Sequence, residues 1–172
     1  MLSIGDRAER SELPGTEGEQ HSFPQNGRPA VVVFTCNHCP YALAWHDRIL
    51  QAARDYDGAD FVLVNPNDAE RYPADSFDAM RERVEEDGGW PAPYLRDESQ
   101  EVARAYGAKT TPDVFVLDGD GRLRYRGAPD PDYEDPSLNA SWLREALDSV
   151  LAGEDPARPE TDPVGCSVKW LG

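Results

Sequence analysis

Two cysteines separated by two residues stand where an apolar run meets a helix-opening proline: Ala30-Val31-Val32-Val33-Phe34-Thr35, then Cys36-Asn37-His38-Cys39, then Pro40. The run is short, β-branched and bounded by Pro29, which suits a central strand buried on both faces. If Pro40 opens a helix, the two cysteines lie about one turn apart, roughly 5–6 Å between Cα atoms, within the range a disulfide bridges. The chain can close and open that bond with little backbone movement, so the pair reads as a redox switch.

The periodicity that follows extends the pattern. Tyr41, Ala44, Trp45, Ile49, Ala52, Ala53 and Tyr56 recur at helical spacing until Asp57-Gly58 stops the helix. Phe61-Val62-Leu63-Val64 is the next strand, so residues 30–64 form a β-α-β unit with parallel strands. Asn65-Pro66-Asn67-Asp68 opens a polar loop, Ser76 caps a helix to about Glu86, and Gly88 to Pro93 forces an extended crossing. A short helix covers Ser99 to Tyr106 before Gly107. Val114–Leu117, the turn Asp118-Gly119-Asp120-Gly121 and Leu123–Arg126 form a hairpin, and Ala140–Leu151 a last amphipathic helix. Residues 1–29 read as an arm with at most a short strand near His21-Ser22-Phe23, residues 30–152 as the core of one domain, and residues 153–172 as a Pro-rich tail. Asp130 to Pro136 reads as an exposed acidic loop.

Charge narrows the partners. Thirty-three acidic against seventeen basic residues give a formal net charge of −16, which argues against nucleic acid. No stretch approaches the ~18 apolar residues of a membrane span, and Met1 to Arg7 lacks the basic-then-apolar pattern of an export signal, so a cytoplasmic protein is expected. The acidic excess exceeds what solubility alone requires and suits a salt-rich cytosol, where ~1 M salt shrinks the Debye length to roughly 3 Å. Three cysteines are too few for a disulfide scaffold, and a close pair in a reducing cytosol is catalytic or metal-binding.

The order strand, helix, strand, helix, hairpin, helix is that of thioredoxin. Asp97-Glu98-Ser99-Gln100 through Ala105-Tyr106-Gly107, then Thr110-Thr111-Pro112 and Phe115-Val116-Leu117-Asp118 with Gly121, Tyr125 and Gly127, resembles the redoxin branch of that superfamily (AhpC/TSA and TlpA-like proteins). More narrowly, Thr35 to Tyr41 together with Gly165 to Trp170 resembles the peroxiredoxin-like group that carries a CxxC motif. The resemblance implies an α/β thioredoxin-like fold: a central mixed β-sheet flanked by helices, with an N-terminal arm and a C-terminal tail. It also implies a cis Pro112 facing the cysteine pair, with Thr35, Thr111 and Pro112 binding substrate. The Thr111 backbone would pair with an extended substrate as an added strand.

The leading reading is a thiol–disulfide oxidoreductase that cycles Cys36 and Cys39 against protein or small-molecule disulfides, is re-reduced by a cellular thiol and needs no cofactor. Cys36, facing the helix N-terminus, is expected to be the nucleophile and Cys39 the resolving thiol. His38 would tune the pair. Lowering a thiol pKa from ~8.5 to ~6.5 raises its thiolate fraction about 25-fold at pH 7, but a Brønsted slope of ~0.4–0.5 returns roughly 6–10-fold in nucleophilicity. His38 therefore acts mainly on leaving-group ability and redox poise.

Two departures stand out. The buried acid that thioredoxins place six residues before the nucleophile falls at Ala30, so His38, Glu98 or water is left as proton acceptor. Peroxiredoxins place a Thr three residues, and a Pro seven residues, before the peroxidatic Cys; counted from Cys39, those positions hold Cys36 and Val32. A thiol peroxidase is thus the second reading. A Cu(I)- or Zn²⁺-binding module using Cys36, His38, Cys39 and Cys166 is the third. Cys166 itself is a docked structural residue, a third redox thiol if the tail crosses the pair, or the source of an intermolecular bond.

Overall fold

The alternation of side chains along Ala30–Phe34 (β3) divides the core in two. Val31 and Val33 join one apolar cluster with Trp45, Ile49, Leu143 and Leu147, while Ala30, Val32 and Phe34 join another with Phe23, Val102 and Tyr106. A strand apolar on both faces needs a helical layer over each, and here it has one. Removing a side chain such as Ile49 from this interior costs about 2–5 kcal/mol as Ile→Ala.

The computed structural model describes residues Met1 to Gly172. In chain order the elements are β1 (Ser11–Pro14), β2 (Gln20–Phe23), β3, α1 (Pro40–Asp55), β4 (Asp60–Asn65), a 3₁₀ turn (Pro73–Asp75) and α2 (Phe77–Glu86). They continue with β5 (Tyr94–Arg96), α3 (Glu101–Tyr106), β6 (Thr110–Thr111), β7 (Asp113–Leu117), β8 (Leu123–Gly127), α4 (Ser141–Leu151) and β9 (Cys166–Ser167). The central sheet has five strands in the order β5-β4-β3-β7-β8; β3, β4 and β5 run parallel, and β7 and β8 antiparallel to their neighbours. This is the mixed α/β sheet of the thioredoxin-like fold.

Local signals account for the helix ends. Pro40 occupies the first turn of α1, where its missing N–H costs nothing, and Cys39 is the N-cap. The Ser76 hydroxyl accepts the Ala79 N–H at 3.1 Å and caps α2. Gly107 ends α3 in the left-handed conformation, φ 75°, a geometry that favours glycine.

Three expectations need correction. Residues 1–29 are more than an arm with one short strand: β1 and β2 form an antiparallel hairpin, and Ala8, Leu13 and Phe23 are buried in the core. Its strands alternate over only four residues each, too short for periodicity to register. The crossing after Gly88 leads into an edge strand, β5, paired with β4. Asp130, at the head of the acidic loop, is buried and accepts hydrogen bonds from Trp45 Nε1 at 2.8 Å and Arg48 Nη1 at 3.0 Å.

Candidate active site

The redox pair sits at the carboxyl end of β3, where the strand hands over to α1. Thr35 is buried behind it, its N–H bonded to the Val64 carbonyl at 2.8 Å. Cys36 and Cys39 are both 0% exposed. The Thr111-Pro112 peptide is cis, and Thr111 touches both thiols: its Oγ1 lies 3.3 Å from Cys36 Sγ, and its carbonyl oxygen 3.2 Å from Cys39 Sγ. The thiols and the Thr-Pro segment, 72 and more residues apart in the chain, are thus assembled at one place.

Electrostatics divides the two sulfurs. Cys39 is pushed down to about 4, chiefly by a hydrogen bond from Cys36 and, against its burial, by further bonds from Cys166 and the Ala42 N–H. Cys36 is pushed up, first because its proton is held toward Cys39, then by burial and by the Asp75 carboxylate. Cys39 is itself the N-cap of α1, so the helix N-terminus lies at Cys39, three residues beyond Cys36. The sequence expectation had that N-terminus facing Cys36. When Cys39 carries a proton, its S–H donates to the Thr111 carbonyl at 3.2 Å.

Sequence reasoning missed the group beneath the pair. Asp75, fully buried at the end of the 3₁₀ turn, accepts the Asn37 N–H at 2.7 Å and Asn65 Nδ2 at 3.1 Å on Oδ1, and Asn67 Nδ2 at 3.1 Å on Oδ2. His38 Nδ1 lies 2.5 Å from Oδ2, and its ring stacks on Tyr72. Arg83 Nη1 donates to the Cys36 carbonyl at 3.1 Å and to Asn37 Oδ1 at 3.0 Å, which fixes the loop between the cysteines. A buried acid is therefore present after all, delivered by the chain beyond β4 rather than by β3. The available signal was the polar run Asn65-Pro66-Asn67-Asp68 at the carboxyl end of a parallel strand, where α/β sheets build their sites.

Cys36 Sγ, a His38 nitrogen and an Asp75 oxygen lie within 4.8 Å of one another, a spacing that could hold a metal ion. Cys39 and Cys166 fall outside that group. The Asp75 oxygens already accept from Asn37, Asn65 and Asn67, so a cation would have to displace those donors. His46 is remote in character, buried on α1 with its ring 4.4 Å from that of Trp90, and His21 pairs with Glu17 on the hairpin.

The tail reaches this site. β9 pairs antiparallel with β6, with Cys166 opposite Thr111 and Ser167 opposite Thr110. Beyond it, the Val168 N–H bonds the Lys109 carbonyl at 3.1 Å, the Lys169 N–H bonds Asn67 Oδ1 at 2.9 Å, and Gln100 clamps the Lys169 carbonyl and the Leu171 N–H, each at 2.9 Å. Val168 is buried, and Arg104 stacks over Trp170 at 4.6 Å. The Thr111 edge that the resemblance reserves for substrate is occupied by the protein's own chain. Cys166 packs beside Cys36, Cys39 and Ala42, and burial together with the Cys39 sulfur pushes its thiol up to about 11.

Comparison with known proteins agrees with this fold. An uncharacterized conserved protein from Geobacillus kaustophilus superposes with a TM-score of 0.92 at 36% identity, covering 99% of this chain and 94% of its own. A hypothetical protein from Sinorhizobium meliloti 1021 gives 0.91 at 32% identity, covering 100% and 97%. The pneumococcal exposed lipoprotein thioredoxin from Streptococcus pneumoniae shares the fold at 18% identity, with a TM-score of 0.63 over 80% of this chain and 99% of its own. Among curated proteins no relative matches. The sequence profile of the AhpC/TSA family matches residues 4–126, and with the thiol pair placed at the end of the central strand of a thioredoxin-like sheet, the chain belongs to the AhpC/TSA family.

Proposed function

We propose that this member of the family is a thiol–disulfide oxidoreductase that cycles between a Cys36/Cys39 dithiol and a Cys36–Cys39 disulfide, using a disulfide substrate and a thiol reductant. The observation that carries the reading is the geometry of the pair: both sulfurs are buried in one cluster at the start of α1, each within 3.3 Å of Thr111, which precedes the cis Pro112. Within it a hydrogen bond from Cys36 lowers the Cys39 thiol, while that same bond, burial and the Asp75 carboxylate raise the Cys36 thiol. We therefore assign the resting thiolate to Cys39 and the proton-bearing role to Cys36, with Asp75 and His38 setting the charge around that proton.

When Cys39 enters a mixed disulfide, its negative charge is lost and the force holding the proton on Cys36 weakens. Cys36 can then give up its proton and attack Cys39 Sγ, closing the pair and releasing the reduced product. Nothing in this cycle needs a Thr or Pro placed for peroxide. The two positions where peroxiredoxins carry those residues hold Cys36 and the core residue Val32, which supports disulfide over peroxide as substrate.

A disulfide-reduction assay with insulin and with a small disulfide, run in parallel with peroxide consumption in molar KCl, separates the readings. Thiol-dependent reduction of a disulfide that Cys39→Ser abolishes, with peroxide consumption no faster than the uncatalysed rate, is the expected result. Peroxide turnover that survives in Cys36→Ser but not in Cys39→Ser would replace this reading with a peroxidase; tight retention of Cu(I) or Zn²⁺ with neither activity would replace it with a metal-binding module.

A further inference from the structure

The reaction proposed above meets an obstacle: neither sulfur of the pair is reachable. Cys36 and Cys39 are 0% exposed, and the β6 edge that would admit a substrate strand is paired with β9. The third thiol alone is partly exposed. Cys166 lies opposite Thr111 in register and packs against the cluster of Cys36, Cys39 and Ala42. The hydrogen bonds from Val168 to Leu171 hold it there.

We infer that Cys166 is the port of the active site, the thiol through which the buried pair exchanges electrons with small, low-molecular-weight disulfides. The inference rests on the Cys36/Cys39 cycle and adds its entry step and its substrate class. A peptide disulfide that must add as a strand finds the Thr110–Thr111 edge taken, whereas a small disulfide needs only one exposed sulfur.

The step balances without an outside redox agent. Cys166 attacks one sulfur of the substrate disulfide RS–SR while its proton passes to the departing sulfur; the S–S bond breaks, RSH leaves with the electron pair, and Cys166–S–SR forms. The Cys39 thiolate then attacks Cys166 Sγ, which forms Cys39–Cys166 and expels the second sulfur as RS⁻. Cys36 then attacks Cys39 Sγ, forming Cys36–Cys39; its proton neutralises that second RS⁻, and Cys166 leaves as a thiolate that protonates from solvent or the incoming reductant. One disulfide is reduced to two thiols while the Cys36/Cys39 dithiol is oxidised.

Glutathione disulfide serves as the probe. Reduced full-length protein is mixed with it in molar KCl, quenched with N-ethylmaleimide from milliseconds to minutes, and mapped by mass spectrometry. The glutathione adduct is expected first on Cys166 and the Cys36–Cys39 bridge later. Cys36→Ser should stop one step short and accumulate a Cys39–Cys166 bridge, and Cys166→Ser should slow closure of the pair by about tenfold or more. The adduct mapping on wild type needs no variant to fold. A first adduct on Cys36 or Cys39, or a wild-type closure rate in folded Cys166→Ser, overturns the port and leaves the two-thiol cycle standing. Absence of a Cys36–Cys39 bridge under every disulfide tried overturns both.

Discussion

His38 Nδ1 lies 2.5 Å from Asp75 Oδ2, and that carboxylate in turn raises the thiol of Cys36. The two residues therefore act on the pair with opposite sign. Losing the carboxylate removes a buried negative charge beside the pair's thiolate, which favours the reduced form; losing the imidazole removes the polar group that faces that carboxylate, which disfavours it. Asp75→Asn is expected to make the Cys36–Cys39 midpoint potential less negative, and His38→Ala to make it more negative, each by on the order of 30 mV, equivalent to about 1.4 kcal/mol for a two-electron couple. Equilibration against glutathione buffers reads both. Shifts of the same sign, or no shift in either, refute the coupling. Asp75→Asn should also lower stability by about 1–3 kcal/mol, since an amide nitrogen cannot accept from Asn65 or Asn67.

Asp113, directly after the cis Pro112, supplies a pH prediction independent of the thiols. It is buried at the head of β7; Oδ2 accepts the Lys109 N–H at 2.9 Å, while Oδ1 has no partner. Burial pushes its carboxyl up from the ordinary 3.8 to about 6, against the Lys109 N–H and Arg126. The folded state thus binds the proton more tightly than the unfolded chain. Its contribution to stability is complete below about pH 4 and is lost as pH rises through about 6. Asp113→Asn should stabilise the protein by about 1–3 kcal/mol at neutral pH and flatten the stability profile between about pH 4 and 6. Urea midpoints measured across that range decide it; an Asn variant with the wild-type slope rules out Asp113 as the source.

Why the cysteine pair was legible and Asp75 was not follows from where each signal resides. The run Ala30–Phe34 is local: five residues, apolar on both faces, state their own burial, and Pro40 states where α1 begins. The hairpin at 113–127 is equally local, two apolar runs around an Asp-Gly turn. Asp75 carries no such mark. An aspartate before a Ser cap reads as an exposed helix-start residue, and only the approach of Asn37, Asn65 and Asn67 from two other stretches of chain turns it into a buried hub. β9 is hidden for the same reason, since two residues carry no periodicity and Cys166 finds Thr111 only through tertiary contact. What residue resemblance supplied, the facing of Thr111 and Pro112 toward the thiols, lay beyond any pattern within the chain.

The charge balance gives a prediction about salt. With 17 basic residues against 33 acidic ones, most carboxylates have no cationic partner, and their repulsion acts against the folded state. Raising KCl from low ionic strength to about 1 M shortens the Debye length to roughly 3 Å and screens that repulsion. The melting temperature should therefore rise with KCl, and the rise should persist with NaCl. An unchanged melting temperature from low to molar salt would show that local ion pairs, such as Arg28–Asp60 and Arg144–Asp55, already offset the excess.

Gly165 tests whether the tail shields the pair. A Cβ at this position would overlap the Thr111 carbonyl carbon and oxygen, which are backbone and cannot swing aside as a side chain would. Gly165→Ala should therefore pry β9 from β6 while leaving the central sheet intact, since β6 and β9 form a sheet of their own. The expected result is a gain of about tenfold or more in the alkylation rate of Cys39 by iodoacetamide in the folded protein, because local opening, rather than global unfolding, would then set access. The exposed Ser167, next along the same strand, provides the control: Ser167→Ala retains the backbone pairing with Thr110 and should leave the rate unchanged. If Gly165→Ala leaves Cys39 as protected as in wild type, the tail is not what covers the thiols.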